Sequence, residues 1–157
     1  MLVVKIALKG QSQFQKWNSN VSPVRVLVVE DFAPFLQVIR SMLAERPDVQ
    51  VIGEVADGLE AVQKAGLLEP DMILLDIGLP TLNGIEAARQ IRKLAPASKI
   101  IFVTQESSSE VVQEALKLGA WGYVAKERAA SDLLAAVDAF LEGRQFVSVE
   151  LAIPNLN

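Results

Sequence analysis

The sequence predicts a single α/β domain in which five parallel strands alternate with five helices, a (βα)5 doubly wound sheet. Three observations carry this expectation: short continuous apolar runs, amphipathic stretches at helical spacing between them, and short connections punctuated by Pro and Gly. At 157 residues the chain has the length of one domain, large enough to bury about two thirds of its unfolded surface. Five strands are too few for an eight-stranded barrel, so the sheet is open, with right-handed crossovers and helices on both faces.

The elements follow in order. Residues 1–20 read as an N-terminal extension: MLVVKIALKG is too short and lysine-interrupted for a signal peptide, and QSQFQKWNSN is a polar linker without periodicity. The domain is expected over 21–145, with 146–157 as a C-terminal tail too short for a DNA-reading helix-turn-helix. Val26 to Val29, Met72 to Leu75 and Ile100 to Val103 are apolar throughout, the composition of central strands covered on both faces. Val49 to Gly53 is mixed and Tyr123-Val124 is brief, so those two strands are expected at the edges. Strand alternation would put Trp121 and Tyr123 on the same face.

Helical faces recur between these runs: Phe35, Leu36, Ile39, Met42, Leu43; then Ala61, Val62, Ala65, Leu68; Ile85, Ala88, Ile91; Val111, Val112, Ala115, Leu118; and Leu133, Leu134, Val137, Phe140, Leu141. Pro47 and Pro96 follow the first and third helices, Gly119 and Gly143 end the fourth and fifth, and Ser107-x-x-Glu110 has the pattern of a capping box.

Composition narrows the chemistry. The chain has no Cys and no His, which removes disulfides, thiolate or imidazole catalysis and any soft metal site. Its net charge is −4, yet residues 1–20 contribute +3 through Lys5, Lys9 and Lys16, leaving −7 on the remainder. So acidic a body repels a phosphate backbone, so direct nucleic-acid binding is not expected. No apolar run approaches the roughly 18 residues of a membrane span, and the expected location is the cytoplasm.

Open α/β sheets bind ligands beyond the carboxyl ends of their strands. At those ends stand Glu30-Asp31 after the first strand, Asp76 after the third, Thr104 after the fourth and Lys126 after the fifth. Three converging carboxylates repel unless a cation joins them, and with no His or Cys the fitting ion is Mg2+, or Mn2+ in its place. A carboxylate nucleophile, a metal, a lysine and a hydroxyl together make a phosphoryl-transfer set. Asp76, Mg2+, Lys126 and Thr104 match those roles.

The stretches VRVLVVEDF at 24–32, PDMILLDIGLPTLNGIEAARQIR at 70–92, KIIFVTQ at 99–105 and ALKLGAWGYVAK at 115–126 resemble, in order, the receiver domain of bacterial two-component response regulators. With the fifth helix and the GRQFVS tail the resemblance covers 24–148, and it is strongest to receivers of regulators with LuxR-type outputs. It implies a flavodoxin-like fold with strand order 2-1-3-4-5. It makes Asp76 the phosphoacceptor, Glu30 and Asp31 the acidic pair holding Mg2+, and the carbonyl of Gly78 a further metal ligand. Thr104 and Lys126 would contact the phosphoryl group, and Tyr123 falls at the aromatic switch position.

The implied donor is a sensor histidine kinase or a phosphotransfer protein. The implied output is a downstream protein on the face of the fourth helix, fifth strand and fifth helix, with a homodimer also open. Such a domain transfers a phosphoryl group to itself and is not a turnover enzyme. Two departures stand out: Glu127 follows Lys126 where many receivers have proline, and the long Gln105 follows Thr104.

Plainer readings sit beside these. Asp31 is equally placed to cap the first helix, ahead of Pro34. Asp76 could open an Asx turn. Thr104 could be a strand-end residue, Lys126 a solvated lysine and Tyr123 core. For the whole chain the rivals are a phosphorylation-independent pseudo-receiver, supported by Gln105, and a flavin-binding protein, against which stands the absence of a glycine-rich phosphate loop.

Overall fold

A computed structural model of the chain describes residues 22–148. The N-terminal extension, and the tail beyond Ser148, lie outside the described residues. The elements are β1 (Val24–Val29), α1 (Ala33–Leu43), β2 (Val49–Val55), α2 (Gly58–Leu68), β3 (Met72–Leu75), α3 (Gly84–Leu94), β4 (Lys99–Thr104), α4 (Ser109–Lys117), β5 (Gly122–Ala125), a 3-10 turn (Lys126–Arg128), α5 (Ala129–Leu141) and β6 (Phe146–Val147).

All strand pairs are parallel, in the order β2-β1-β3-β4-β5-β6. The flavodoxin-like order 2-1-3-4-5 is therefore present, extended by a sixth strand that the sequence pattern does not reveal. That strand covers β5, so only β2 of the two expected edges is an edge. The whole of β5 is buried.

Strand alternation divides the core cleanly. Val26, Val28, Leu74, Val103 and Val124 face Ile39 and Leu43 of α1 and Leu133 and Val137 of α5. Leu27, Val29, Leu75, Phe102 and Tyr123 face the other way, onto α2, α3 and α4. Both sides of the central strands are dry, which is why their sequences are apolar without alternation. Trp121 is a correction. It packs against the α1/α5 side while Tyr123 belongs to the opposite cluster. It precedes the first residue of β5, where the strict two-residue alternation of a ladder no longer binds.

The helix ends follow their capping chemistry. Asp57 accepts from the amide of Glu60 at 2.8 Å and Asn83 from that of Glu86 at 3.0 Å, satisfying donors that have no partner inside the helix. At α4 the cap is Ser108, whose Oγ accepts from Val111 at 3.3 Å. The capping box expected from Ser107 and Glu110 does not form: the cap is one residue later, and the third helical residue, Val111, has no side-chain acceptor to return the bond. Gly119 and Gly143 end α4 and α5 at φ of 93° and 75°, a left-handed conformation that costs glycine nothing.

Candidate functional site

Parallel strands start and stop together, so the residues just after β1, β3, β4 and β5 meet at one rim. Glu30 and Asp31 follow β1, Asp76 follows β3, Thr104 ends β4 and Lys126 follows β5. Asp31, Asp76, Gly78, Thr104 and Lys126 line one open cleft of about 690 Å³, with the exposed Gln105 and Glu127 on its wall. Tyr123 is not among its lining residues.

Three carboxylates meet there. Oxygen atoms of Glu30, Asp31 and Asp76 lie within 4.8 Å of one another. Glu30 is 2% exposed and Asp76 6% exposed, whereas Asp31 is exposed. The Lys126 ammonium stands between the two buried acids, 3.0 Å from Glu30 Oε2 and 3.0 Å from Asp76 Oδ2. It also sits 4.8 Å above the centre of the Phe35 ring, which favours a cation.

Each acid is oriented by the backbone. Glu30 Oε2 accepts from the amide of Phe32 at 3.0 Å. Asp76 Oδ1 accepts from Ile77 at 2.7 Å and, more weakly, from Gly78 at 3.4 Å. The Asx-type contact foreseen for Asp76 is therefore present, but on Oδ1, while Oδ2 turns toward Lys126. Asp31 does not cap α1: the N-cap position is Phe32, without a side-chain bond, and the Asp31 carboxylate belongs to the acidic group instead.

Burial pushes the Glu30 carboxyl above its ordinary value, and the charge of Asp76 adds to this, against the opposing pull of Lys126 and the Phe32 amide. For Lys126 burial works against the charge, but its hydrogen bonds to Glu30 and Asp76 and their negative charges win, holding the ammonium above its usual range. Glu30 Oε1 lies 2.9 Å from that ammonium but off its hydrogen-bonding directions, and is a buried side-chain oxygen without a hydrogen-bond partner among the described residues. Three carboxylates, one of them with a buried oxygen that no hydrogen bond satisfies, form a hard donor set that a single ammonium leaves short of positive charge. It fits a divalent cation of the Mg2+ type.

Behind the cleft, Thr104 Oγ1 accepts from the amide of Glu106 at 3.3 Å. Tyr123 is fully buried and donates its hydroxyl to the carbonyl of Glu106 at 2.8 Å. Its phenol is pushed up by burial first and then by the charges of Glu106 and Asp76, so it stays protonated. Glu106 is a member of the site that sequence reasoning missed, because its contribution is backbone and carries no residue signature.

Gly84 is another. A Cβ there would come 2.1 Å from the carbonyl oxygen of Asp76 and 2.7 Å from Ile77 Cα. The first residue of α3 is pressed against the peptide of the central acid, and only glycine fits. The loop-to-helix junction at Gly84 thus sits directly against the peptide that carries the Asp76 carboxylate.

The sequence profile of the response regulator receiver domain matches residues 26–138. The nitrate/nitrite response regulator protein NarL of Escherichia coli K12 is 32% identical over 133 residues, covering 85% of this chain and 62% of that protein. The protein-glutamate methylesterase/protein-glutamine glutaminase of Thermotoga maritima is 44% identical over 105 residues, 66% of this chain and 30% of that protein. The chain thus spans between about a third and just under two thirds of the length of these relatives. Among solved structures, a LuxR-family two-component response regulator from Aurantimonas sp. SI85-9A1 superposes with a TM-score of 0.77 at 33% identity, covering 83% of this chain and 93% of that one.

Proposed function

The chain belongs to the response regulator receiver domain family, and on that premise we propose that it is a phosphorylation-controlled switch with Asp76 as the phosphoacceptor. The supporting observation is the rim itself: a buried carboxylate with one oxygen fixed by backbone amides and the other on a lysine, inside an acidic group that a divalent cation would complete.

In this reading Asp76 Oδ2 attacks the phosphorus of a phosphohistidine on a sensor kinase or phosphotransfer protein. A new O–P bond forms, the P–N bond breaks, and the imidazole leaves with the electron pair and takes a proton from water. The product is an acyl phosphate on Asp76. Glu30, Asp31, Asp76 and the carbonyl of Gly78 would hold Mg2+, which supplies neutralisation of charge on the transferring oxygens. Lys126 is positioned to give the phosphoryl group a compact counter-charge, and Thr104 to donate its hydroxyl. Drawing Thr104 inward pulls on Glu106, and through it on Tyr123. The output is a protein partner on the face of α4, β5 and α5, and the setting is the cytoplasm. The domain acts on itself and does not turn over an external substrate.

The test is incubation with acetyl phosphate and Mg2+ followed by intact-mass measurement. One added phosphoryl group in wild type and none in Asp76→Asn is expected, because an amide is no usable nucleophile. Equal labelling of Asp76→Asn would move the acceptor elsewhere. An unlabelled wild type would favour a phosphorylation-independent interaction module.

A further inference from the structure

Next to the cleft lies a second buried polar group that phosphoryl transfer does not use. Asp132, in the first turn of α5, is 5% exposed, and Ser148, just after β6, is 1% exposed. Ser148 Oγ donates to Asp132 Oδ2 at 2.7 Å and accepts from the amide of Ala125 at 3.0 Å. Its own amide donates to the carbonyl of Tyr123 at 2.9 Å. Asp132 Oδ2 also accepts from Arg128 Nε at 3.0 Å, and Oδ1 from Ser131 Oγ at 2.9 Å.

Ala125 and Arg128 bracket Lys126. The three-residue turn that presents the ammonium to Glu30 and Asp76 is therefore anchored at both ends to the same Ser148–Asp132 pair. The strand Phe146–Val147 leans on that pair as well. Two residues of strand have little stability of their own; beyond its ladder pairing with β5, β6 is held by the main-chain bonds of Phe146 to Trp121 at 3.2 Å and of Ser148 to Tyr123.

The geometry points to a latch: Ser148 and Asp132 hold β6 on β5 while Lys126 rests on Glu30 and Asp76, and release it when Lys126 is drawn to a phosphoryl group. The inference rests on Asp76 being the phosphoacceptor. A new anion in the cleft competes with Glu30 for the ammonium. The turn has no spare residue, so any pull of that anion on Lys126 that reaches its backbone is borne by the bonds from Ala125 to Ser148 and from Arg128 to Asp132. The signal then reaches the C-terminal end of β6, at Ser148. Coupling is reciprocal, so a latch that opposes the phosphorylated arrangement must, when cut, favour it.

The experiment uses the full chain with beryllofluoride and Mg2+ as the phosphoryl mimic. Fluorine NMR reads binding, and amide hydrogen exchange at Phe146 and Ser148 reads the latch. In wild type, bound beryllofluoride is expected to speed exchange at both amides by about tenfold, as local opening of an edge segment does, while the β1 and β3 amides stay protected. Ser148→Ala is expected to raise basal exchange at Phe146 and to bind beryllofluoride about threefold more tightly, as reciprocity requires. Ser148→Thr, which keeps the hydroxyl, is expected to restore wild-type affinity.

Beryllofluoride bound with no change at Phe146 and Ser148 overturns the latch. So does a Ser148→Ala chain that binds the mimic no better than wild type, which would mark Ser148 as packing alone. Should Ser148→Ala not fold, the wild-type arm still decides. If fluorine NMR shows no binding, the reading of Asp76 falls, and the latch with it.

Discussion

The phenol of Tyr123 is tied to the carbonyl of Glu106 at 2.8 Å, which places the aromatic ring of β5 under the loop that follows Thr104 and not in the cleft. The same residue gives its amide to Thr104. Glu106 therefore joins a cleft hydroxyl to a buried ring, which also stacks obliquely on Phe102, with centroids 6.0 Å apart.

Tyr123→Phe should keep phosphoryl labelling but lose the tether. The cost of one such hydrogen bond is about 1 kcal/mol, visible in urea denaturation, with faster amide exchange across 105–108. A variant with unchanged stability and loop exchange would deny Tyr123 any hold on that loop.

Mg2+ should stabilise the fold by mass action, because the native rim brings together three carboxylates that would hold it and the unfolded chain does not. At ten times its dissociation constant the gain is about 1.4 kcal/mol, or about 3–5 °C in melting temperature. Asp31→Ala should lose most of that gain. A melt that ignores millimolar Mg2+ in wild type would argue against the cation.

Thr104→Ala and Lys126→Ala should still be labelled on Asp76, since neither group attacks phosphorus, yet fail to pass the change on to the 105–108 loop. Lys126→Ala also leaves Glu30 and Asp76 facing each other in a buried site. Removing one partner of a buried charge pair costs about 3–5 kcal/mol, part of which Mg2+ should restore. Wild-type loop responses in both variants would remove them from the readout.

Gly84→Ala should be among the most damaging small changes in the chain. The added methyl meets the Asp76 carbonyl at 2.1 Å, a backbone atom that cannot swing aside. Displacing that peptide is expected to cost about 2–4 kcal/mol and to slow labelling in whatever fraction folds. Normal stability and labelling would mean that α3 can slide away.

Asp132→Ala should have a pH signature. Burial acts to raise the Asp132 carboxyl, but hydrogen bonds from Ser148, Arg128 and Ser131 outweigh it and hold the group below its ordinary 3.8. A depressed carboxylate contributes stability above 3.8 that is lost as pH falls through its folded-state value. Leaving its buried partners unsatisfied should cost about 1–3 kcal/mol near neutrality, and the gap to wild type should narrow below pH 3.8. A gap that is constant with pH would show that the loss is one of packing.

The fold was legible because its strands are buried on both faces: runs such as Met72–Leu75 are apolar without interruption, and the helices between them keep one apolar stripe. The rim residues were legible because parallel strands end together, which turns four separate strand ends into one place. What escaped notice has physical causes. Phe146–Val147 is too short to show a period. Trp121 stands outside the ladder, where alternation is no guide. Glu106 acts through its backbone. Ser148 and Asp132 are 16 residues apart in sequence, and nothing local announces that a serine and an aspartate will be buried against each other.

Lys126 lies 50 residues beyond Asp76 and 96 beyond Glu30, and this separation orders events on the ribosome. At about 5–20 residues per second, the last carboxylate of the rim is synthesised about 3 to 10 s before the lysine that will sit between two of them. In that interval β1, β2 and β3 can pair, since their contacts need nothing from β5, but their acidic ends repel one another. Glu30 and Asp76 therefore lack their ammonium until β5 docks, so the charge balance of the rim is completed only when the sheet is nearly whole.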